Sequence, residues 1–146
     1  MKVRDIMNIN TIRIMSDATM ADAADLAANS NASGIFVVDE ENNFIGVLSE
    51  GDMMAKMLPN ITEIMSSGSG VKDFQDIFKS KGTKLGRERV ADHLVATPIT
   101  LSPDDNMLKV ATTMSLKKMR RLPVVKDGKL IATISRGDIC KAALKE

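Results

Sequence analysis

Two short motifs of the same type, Ser-x-x-Asp, are the residues of this sequence best suited to bind a ligand. Ser49 precedes Asp52 and Ser135 precedes Asp138, each pair directly after an apolar run. At the start of a helix this spacing gives a capping box, in which hydroxyl and carboxylate satisfy backbone N–H groups. The same helix start favours phosphate, and a carboxylate can accept two hydrogen bonds from a ribose diol. The motif therefore indicates either a structural cap or a ligand site.

The two motifs belong to an internal repeat, which occupies residues 1–58 and 88–146. Matching residues recur at a constant offset: Val3, Asp5, Ile12, Ile14, Asp17 and Met20 correspond to Val90, Asp92, Ile99, Leu101, Asp104 and Met107. Each copy has the pattern strand, helix, strand, strand, helix. One copy is too small to bury both faces of its sheet, so we expect the copies to pack sheet against sheet. The predicted fold class is α/β (α+β), two β-α-β-β-α repeats about a pseudo-two-fold axis with paired grooves.

Local signals place the elements of each copy. Residues 11–14 and 99–101 are predicted to be extended, and Thr19 with Asp22 predicts a capping box at the first helix. The dipeptide Asp127-Gly128 predicts a tight hairpin in the second copy. The second helix of each copy is predicted to begin at the Ser-x-x-Asp motif.

The middle segment, 59–87, belongs to neither copy. Residues 66–70, Ser-Ser-Gly-Ser-Gly, predict a flexible connection, and the apolar residues from Val71 to Phe78 predict one short amphipathic helix. A run rich in lysine and arginine follows, from Lys79 to Arg89. We interpret the segment as a solvated linker with a docking helix. The alternative is a basic arm that covers a phosphate or contacts a partner.

Composition argues against several classes of protein. The net charge is only +1 and the chain has no Trp or Tyr, which argues against nucleic-acid binding by charge or by stacking. One cysteine and one histidine exclude a thiolate cluster and a two-histidine metal site. We predict that Cys140 is buried and inert and that His93 is structural. No known catalytic signature is present, so we expect no enzyme and no required cofactor or metal.

The sequence also lacks an apolar run long enough to span a membrane, and its first residues lack the core of a signal peptide. We therefore expect a cytoplasmic chain without a membrane partner.

The repeated pattern resembles the tandem cystathionine β-synthase (CBS) domains, or Bateman module. The resemblance rests on residues 35–39 and 46–52 in the first copy and on 121–125 and 134–138 in the second. Similar pairs regulate IMP dehydrogenase, the AMP-activated protein kinase, chloride channels and magnesium transporters, usually by sensing adenine nucleotides. The resemblance implies a stand-alone regulatory pair that binds AMP, ADP or ATP in the cleft between its copies. A protein target, if there is one, would be bound in trans.

The resemblance also implies roles for individual residues. Asp52 and Asp138 would bind ribose, and Ser49 and Ser135 would face phosphate. Phosphate also needs cations, and the candidates are Arg120, Arg121 and Arg136. The first copy has Ser33, Gly34 and Glu50 at those places, so the second copy is better equipped for a charged nucleotide. Apolar residues would line a slot for the adenine: Ile12, Ile14, Ile35 and Phe36 in the first copy, and Ile99, Leu101, Leu122 and Pro123 in the second. Plain core packing is the alternative for these eight.

Two other functions stay open. In the first, the chain is a ligand-free scaffold, and two apolar helix faces join two chains into a homodimer: Met53, Met54 and Met57, and Ile139, Ala142 and Ala143. In the second, S-adenosylmethionine or NAD occupies the same cleft. The basic residues favour a phosphate over the sulfonium cation of S-adenosylmethionine.

Overall fold

The structure is a computed structural model that describes residues 1–30, 34–66, 71–95 and 99–145. The first copy contains β1 (Arg13–Met15), α1 (Met20–Ser30), β2 (Gly34–Val38), β3 (Phe44–Ser49) and α2 (Glu50–Ala55). The middle segment contains α3 (Ile61–Ser66) and α4 (Val71–Arg87). The second copy contains α5 (Met107–Lys117), β4 (Arg121–Lys126), β5 (Lys129–Ser135) and α6 (Arg136–Leu144). A short 3₁₀ helix opens each copy, at Val3–Asp5 and Val90–His93. The mixed α+β fold of two repeated units is as predicted.

Each copy has its own small sheet. In the first, β2 lies between a parallel β1 and an antiparallel β3, and in the second β4 and β5 are antiparallel. The strand predicted over 99–101 is reduced to a single bridge between Leu101 and Val124. Ser16 extends β1 by donating its N–H to the Val38 carbonyl at 2.9 Å, whereas the second copy has Pro103 at the matching place. Since proline has no N–H to donate, the second strand pairing stops earlier.

Two separate cores hold the helices against the sheets. The first core includes Ile14, Ala23, Ile35, Val37 and Leu48, and the second includes Leu101, Val110, Leu122, Val124 and Ile134. The capping box predicted at the start of α1 is confirmed, because Thr19 and Asp22 exchange two backbone-to-side-chain hydrogen bonds of 3.2 Å each. Helix α1 thereby begins at the point where Met20 and Ala23 enter the first core.

The opening segments are exchanged between the copies. Val3, from the first copy, is fully buried in the second core, and Val90, from the second copy, is fully buried in the first core. The backbone contacts are also reciprocal, since Val3 donates its N–H to Asp105 at 2.9 Å and Val90 donates to Ala18 at 2.8 Å. Contacts that repeat in this way are those of two copies related by a two-fold axis. Each core is therefore completed by the other copy.

A third apolar cluster, the seam cluster, joins the two sheets. Phe36, Val38 and Leu130 are its buried members, and they come from both copies. Two backbone hydrogen bonds cross beside it, from Phe44 N–H to Gly128 at 2.9 Å and from Leu130 N–H to Asn42 at 3.1 Å. The predicted hairpin turn is present, with φ of 52° at Asp127 and 79° at Gly128, the left-handed pair that a type I′ turn requires. The tight turn thus brings Gly128 to the seam.

The middle segment is more ordered than the sequence indicated. It contains two helices rather than one short helix, and α4 is 17 residues long. Leu85 is buried in the first core and continues the apolar face of α4, so the helix runs through most of the basic run. The flexible connection predicted at 66–70 lies, apart from its first residue, outside the described residues.

The prediction for Cys140 was wrong, because the thiol is exposed. Helix α6 turns Ile139 toward the second core, and Asp138 and Ala142 are half-buried on neighbouring turns. Cys140 lies about 100° further round the helix than Ile139 and so faces away from the sheet. The prediction relied on apolar neighbours in the sequence, and these do not indicate which side of the helix is buried.

Gly46 packs tightly against the backbone of the other copy. A Cβ added there would lie 3.2 Å from the Val95 carbonyl oxygen and 3.3 Å from the Leu94 Cβ. Val95 cannot move away easily, because it exchanges two backbone hydrogen bonds, of 3.0 and 3.1 Å, with Val47. We expect Gly46→Ala to lower the free energy of unfolding by about 1–3 kcal/mol, as overpacking does, in a urea titration. The control is Gly34→Ala, where the added Cβ has ordinary contacts at 3.5 Å and beyond. Equal stability of the two variants would contradict this account.

Candidate functional site

The Ser-x-x-Asp motifs lie where a strand passes into a helix in both copies. In the second copy the capping box is complete: Ser135 Oγ accepts from the Asp138 N–H at 3.1 Å, and Asp138 Oδ2 accepts from the Ser135 N–H at 2.9 Å. In the first copy only the bond from the Asp52 N–H to Ser49 Oγ is present, at 3.4 Å. Within the described ranges the Asp52 carboxylate therefore has no hydrogen-bond partner. The motif thus forms a full structural cap in the second copy, whereas in the first copy the carboxylate takes no part in the cap and is left for a ligand.

Each motif carboxylate lines a groove between the two copies. The first groove, of about 420 Å³, lies between α2 and the second 3₁₀ helix and is lined by Asp52, Lys56, Asp92 and His93 among others. The second groove, of about 410 Å³, lies between α6 and the first 3₁₀ helix and is lined by Asp138, Lys141, Asp5 and Ile6 among others. The exchange of the opening segments forms both grooves, because each contains the helix of one copy and the opening segment of the other.

The two grooves occupy matching places in the repeat but differ in charge. Lys56 and His93 in the first groove correspond to Ala142 and Ile6 in the second. Asp52 is exposed, whereas Asp138 is half-buried and fixed by its capping box. Sequence reasoning did not identify Lys56 or Lys141. Their distance from the motif aspartates, one helical turn, is the signal that could have found them.

The three predicted arginines gather at the start of α6. Arg121 is paired with Ser135 across the sheet, and the Arg136 N–H donates to the Arg120 carbonyl at 3.0 Å. All three side chains are exposed, and none forms an ion pair with a carboxylate of the part of the chain that the structure describes. In the first copy, Gly34 is paired with Ser49 at the matching place, and Glu50 begins α2. Ser33 lies outside the described residues.

The eight apolar candidates are divided between core and seam. Four have their side chains in the two cores: Ile14, Ile35, Leu101 and Leu122. Phe36 is in the seam cluster, and Pro123 is buried on the strand face opposite Leu122 and Val124. Ile12 and Ile99 are half-buried, and Ile99 packs against the second core. Phe36 and Pro123 are thus the candidates that the strands turn away from the cores.

His93 connects three elements beside the first groove. Its Nδ1 lies 2.6 Å from Lys56 Nζ, and its Nε2 lies 3.0 Å from Glu88 Oε2. Its side chain is only 13% exposed. His93 is thus held by two polar partners at a place where the repeat has an isoleucine, Ile6, in the first copy.

The resolved pKa shifts lie outside the grooves. The Asn43 side chain donates a hydrogen bond to Asp39 at 2.9 Å, and this bond holds the pKa of the Asp39 carboxyl below its usual value. The Lys81 ammonium bonds to Glu63 at 2.5 Å and lowers the pKa of that carboxyl. The first contact shapes the turn between β2 and β3, and the second ties α3 to α4.

Comparison with known proteins gives a family match over both copies. The family described as CBS domain matches residues 3–59 and 90–145. An uncharacterized protein of Methanocaldococcus jannaschii is 27% identical over 95% of this chain and 41% of its own length. The chloroplastic CBS domain-containing protein CBSX2 of Arabidopsis thaliana is 28% identical over 90% of this chain and 58% of its own length. The chain therefore spans about half the length of the curated relatives it matches.

Solved structures agree in fold over almost the whole chain. The crystal structure of CBSX2 in complex with AMP has a TM-score of 0.74 and 26% identity, and covers 99% of this chain and 96% of that one. A second structure of CBSX2 from Arabidopsis thaliana has a TM-score of 0.75 at 25% identity, with 99% and 94% covered. In the described ranges, no helix is both long enough and apolar enough to span a membrane.

Proposed function

Because the chain belongs to the CBS domain family, we propose that it is a regulatory module that binds an adenine nucleotide between its two repeats. One observation carries the proposal: a relative with the same fold over 99% of this chain has been solved in complex with AMP. A bound nucleotide changes the module only if it prefers one arrangement of the copies to another. The exchanged opening segments provide such a dependence, since both grooves include residues of both copies.

Asp52 and Asp138 are the proposed acceptors for the ribose diol. Asp138 uses Oδ2 in its capping box, which leaves Oδ1 to accept from the sugar, and Asp52 has both carboxylate oxygens available within the described structure. Ser49 and Ser135 use their oxygens as acceptors for the cap, and each hydroxyl hydrogen remains to be donated to a phosphate. The cap and the ligand site are therefore compatible in the same motif.

The phosphate and the base are assigned to the neighbouring residues. Arg120, Arg121 and Arg136 surround the start of α6, and their positive charge suits a phosphate there. For the base we propose the apolar candidates that the strands turn away from the cores, Phe36 and Pro123, with Ile12 and Ile99 at their edges. The four candidates in the cores would act indirectly, by fixing the strands. The second copy is thus the proposed site for a charged nucleotide.

The direct test is calorimetric titration of the ligand-stripped chain with AMP, ADP, ATP and S-adenosylmethionine. We expect binding of at least one of the three nucleotides, with S-adenosylmethionine weaker. Light scattering on the same sample tests the alternative. A homodimer that no nucleotide binds would favour the scaffold, for which the exposed Met54 on α2 and Leu144 on α6 offer apolar surface.

The substitution Asp138→Asn tests the ligand-binding role of Asp138 separately from its role in the helix cap. The Asn carbonyl oxygen can still accept from the Ser135 N–H, but the second carboxylate acceptor is lost. We expect nucleotide affinity at the second copy to fall about tenfold, since hydrogen bonds to charged groups contribute about 1.5–3 kcal/mol, while the melting temperature stays near that of the parent chain. Asp138→Ala should lower both quantities, because it also removes the cap.

The control is Asp25→Asn, which changes an exposed carboxylate on α1 away from both grooves. Calorimetry and thermal melting of the three variants give the comparison. Unchanged affinity in Asp138→Asn would remove the second motif from the proposed site.

A further inference from the structure

We propose that His93 is a positioning residue that keeps the Asp52 carboxylate open to a ligand diol by holding Lys56 away from it. The inference rests on the proposed function of the first groove and extends it to two residues outside the Ser-x-x-Asp motif.

Lys56 is placed to form an ion pair with Asp52 but does not. Lys56 continues the helical turn at the end of α2, with φ of −70° and ψ of −16°, and lies four residues after Asp52. An acid followed four residues later by lysine is the arrangement that favours an ion pair on a helix surface. The Lys56 Nζ instead lies 2.6 Å from His93 Nδ1, and within the described ranges the Asp52 carboxylate has no cation within bonding distance. His93 thus competes with Asp52 for the ammonium group.

The contacts define which nitrogen of His93 carries the proton. An ammonium group has only donors, so Nδ1 must accept from Lys56, and Nε2–H then donates to Glu88 Oε2 at 3.0 Å. The ring is thus held at both nitrogens. Glu88 therefore orients the ring that holds Lys56.

The second groove keeps its carboxylate in place by a different means. Ile6 and Ala142 stand where the first groove has His93 and Lys56, and the lysines of the second groove, Lys141 and Lys145, lie three and seven residues after Asp138 instead of four. The Ser135 N–H fixes Asp138 instead, at 2.9 Å, a bond that Ser49 does not make to Asp52. The His93–Lys56 contact is thus found in the groove whose capping box lacks the bond to the carboxylate.

The test uses adenosine and 2′-deoxyadenosine as probes in a chain that carries Asp138→Asn. Neither probe has a phosphate, so Lys56 has no anionic group of the ligand to bind, and the ratio of the two affinities reports the diol contact. We expect His93→Ile, which copies Ile6, to weaken adenosine about tenfold, the effect of losing one hydrogen bond to a charged group, and to bring the ratio near one.

A second change distinguishes positioning from a structural role. Adding Lys56→Ala, which copies Ala142, to His93→Ile should free Asp52 again and restore adenosine affinity to within about threefold of the parent, a difference below about 1 kcal/mol. His93→Asn, whose carbonyl oxygen replaces Nδ1 as acceptor, should also retain affinity. Thermal melting of each variant establishes that it is folded.

Two results would overturn the inference while leaving the proposed function in place: His93→Ile that binds adenosine as the parent does, or a double variant weaker than His93→Ile alone. Failure of the Asp138→Asn parent itself to bind adenosine would show that the first groove takes no diol, and would overturn the inference together with that part of the proposed function. Titration of the unmodified chain with AMP then shows whether nucleotide binding, the core of the proposed function, still holds.

Discussion

Val3→Asp should strongly destabilise the fold, although Val3 lies near the start of the chain. Its side chain is fully buried in the second core, beside residues of α5, β4 and β5. A buried carboxylate without a partner costs several kcal/mol, a large part of the 5–15 kcal/mol that stabilises a typical domain. We expect the melting temperature to fall by about 10–20 °C, measured by circular dichroism.

Ile9→Asp is the matched control for this prediction. Ile9 is also a β-branched apolar residue of the opening segment, but its side chain is 70% exposed. A charge there stays in water, so we expect a change of less than about 0.5 kcal/mol in the free energy of unfolding. Val90→Asp should match Val3→Asp, because Val90 fills the same place in the first core. A stable Val3→Asp chain would show that the exchange of opening segments does not hold the copies together.

The exchange of the opening segments also links the shape of both grooves to the way the two copies pack against each other. The residues that line the second groove come from the start of the chain and from its last helix, and those of the first groove come from α2 and the second 3₁₀ helix. Any change in the angle between the copies alters both grooves at once. A ligand in one groove can therefore affect the other through this shared packing.

The repeat allowed most of the fold to be predicted, because matching residues in two copies support each other. Thr19 with Asp22 and Asp127 with Gly128 were sufficient to place a cap and a turn, since both depend on contacts within a few residues. The exchange of Val3 and Val90 could not be predicted in the same way. Periodicity shows that a residue is buried but not which copy provides the core that buries it.

The candidate site was predictable in its polar residues and less so in its apolar ones. The Ser-x-x-Asp motif has a local geometry, so its position at a helix start followed from sequence alone. Ile35 and Phe36 are adjacent apolar residues of one strand, yet the first belongs to a core and the second to the seam cluster. A continuous apolar strand does not indicate which face lies toward a ligand. The contact between Lys56 and His93 could not be predicted, because the two residues come from different copies.

Replacing Arg120, Arg121 and Arg136 together by alanine should weaken ATP binding far more than any other change on the surface. The three side chains are exposed at the start of α6, so their loss leaves the cores intact. Hydrogen bonds to charged groups contribute about 1.5–3 kcal/mol each, so we expect ATP affinity to fall at least 100-fold if two of the three contact phosphate. AMP, which carries fewer negative charges, should lose less, and adenosine should change little.

The ratio of these losses is the informative measurement, because a general loss of structure would weaken all three ligands equally. Lys126→Ala provides the control for charge, since Lys126 is an exposed cation at the opposite end of β4. Glu50→Arg tests the converse, by giving the first copy the residue that the second has at Arg136. We expect it to raise ATP affinity at the first groove in calorimetry, with an effect that declines as salt is added. An equal loss for ATP and adenosine in the triple variant would mean that the arginines support the local fold rather than bind phosphate.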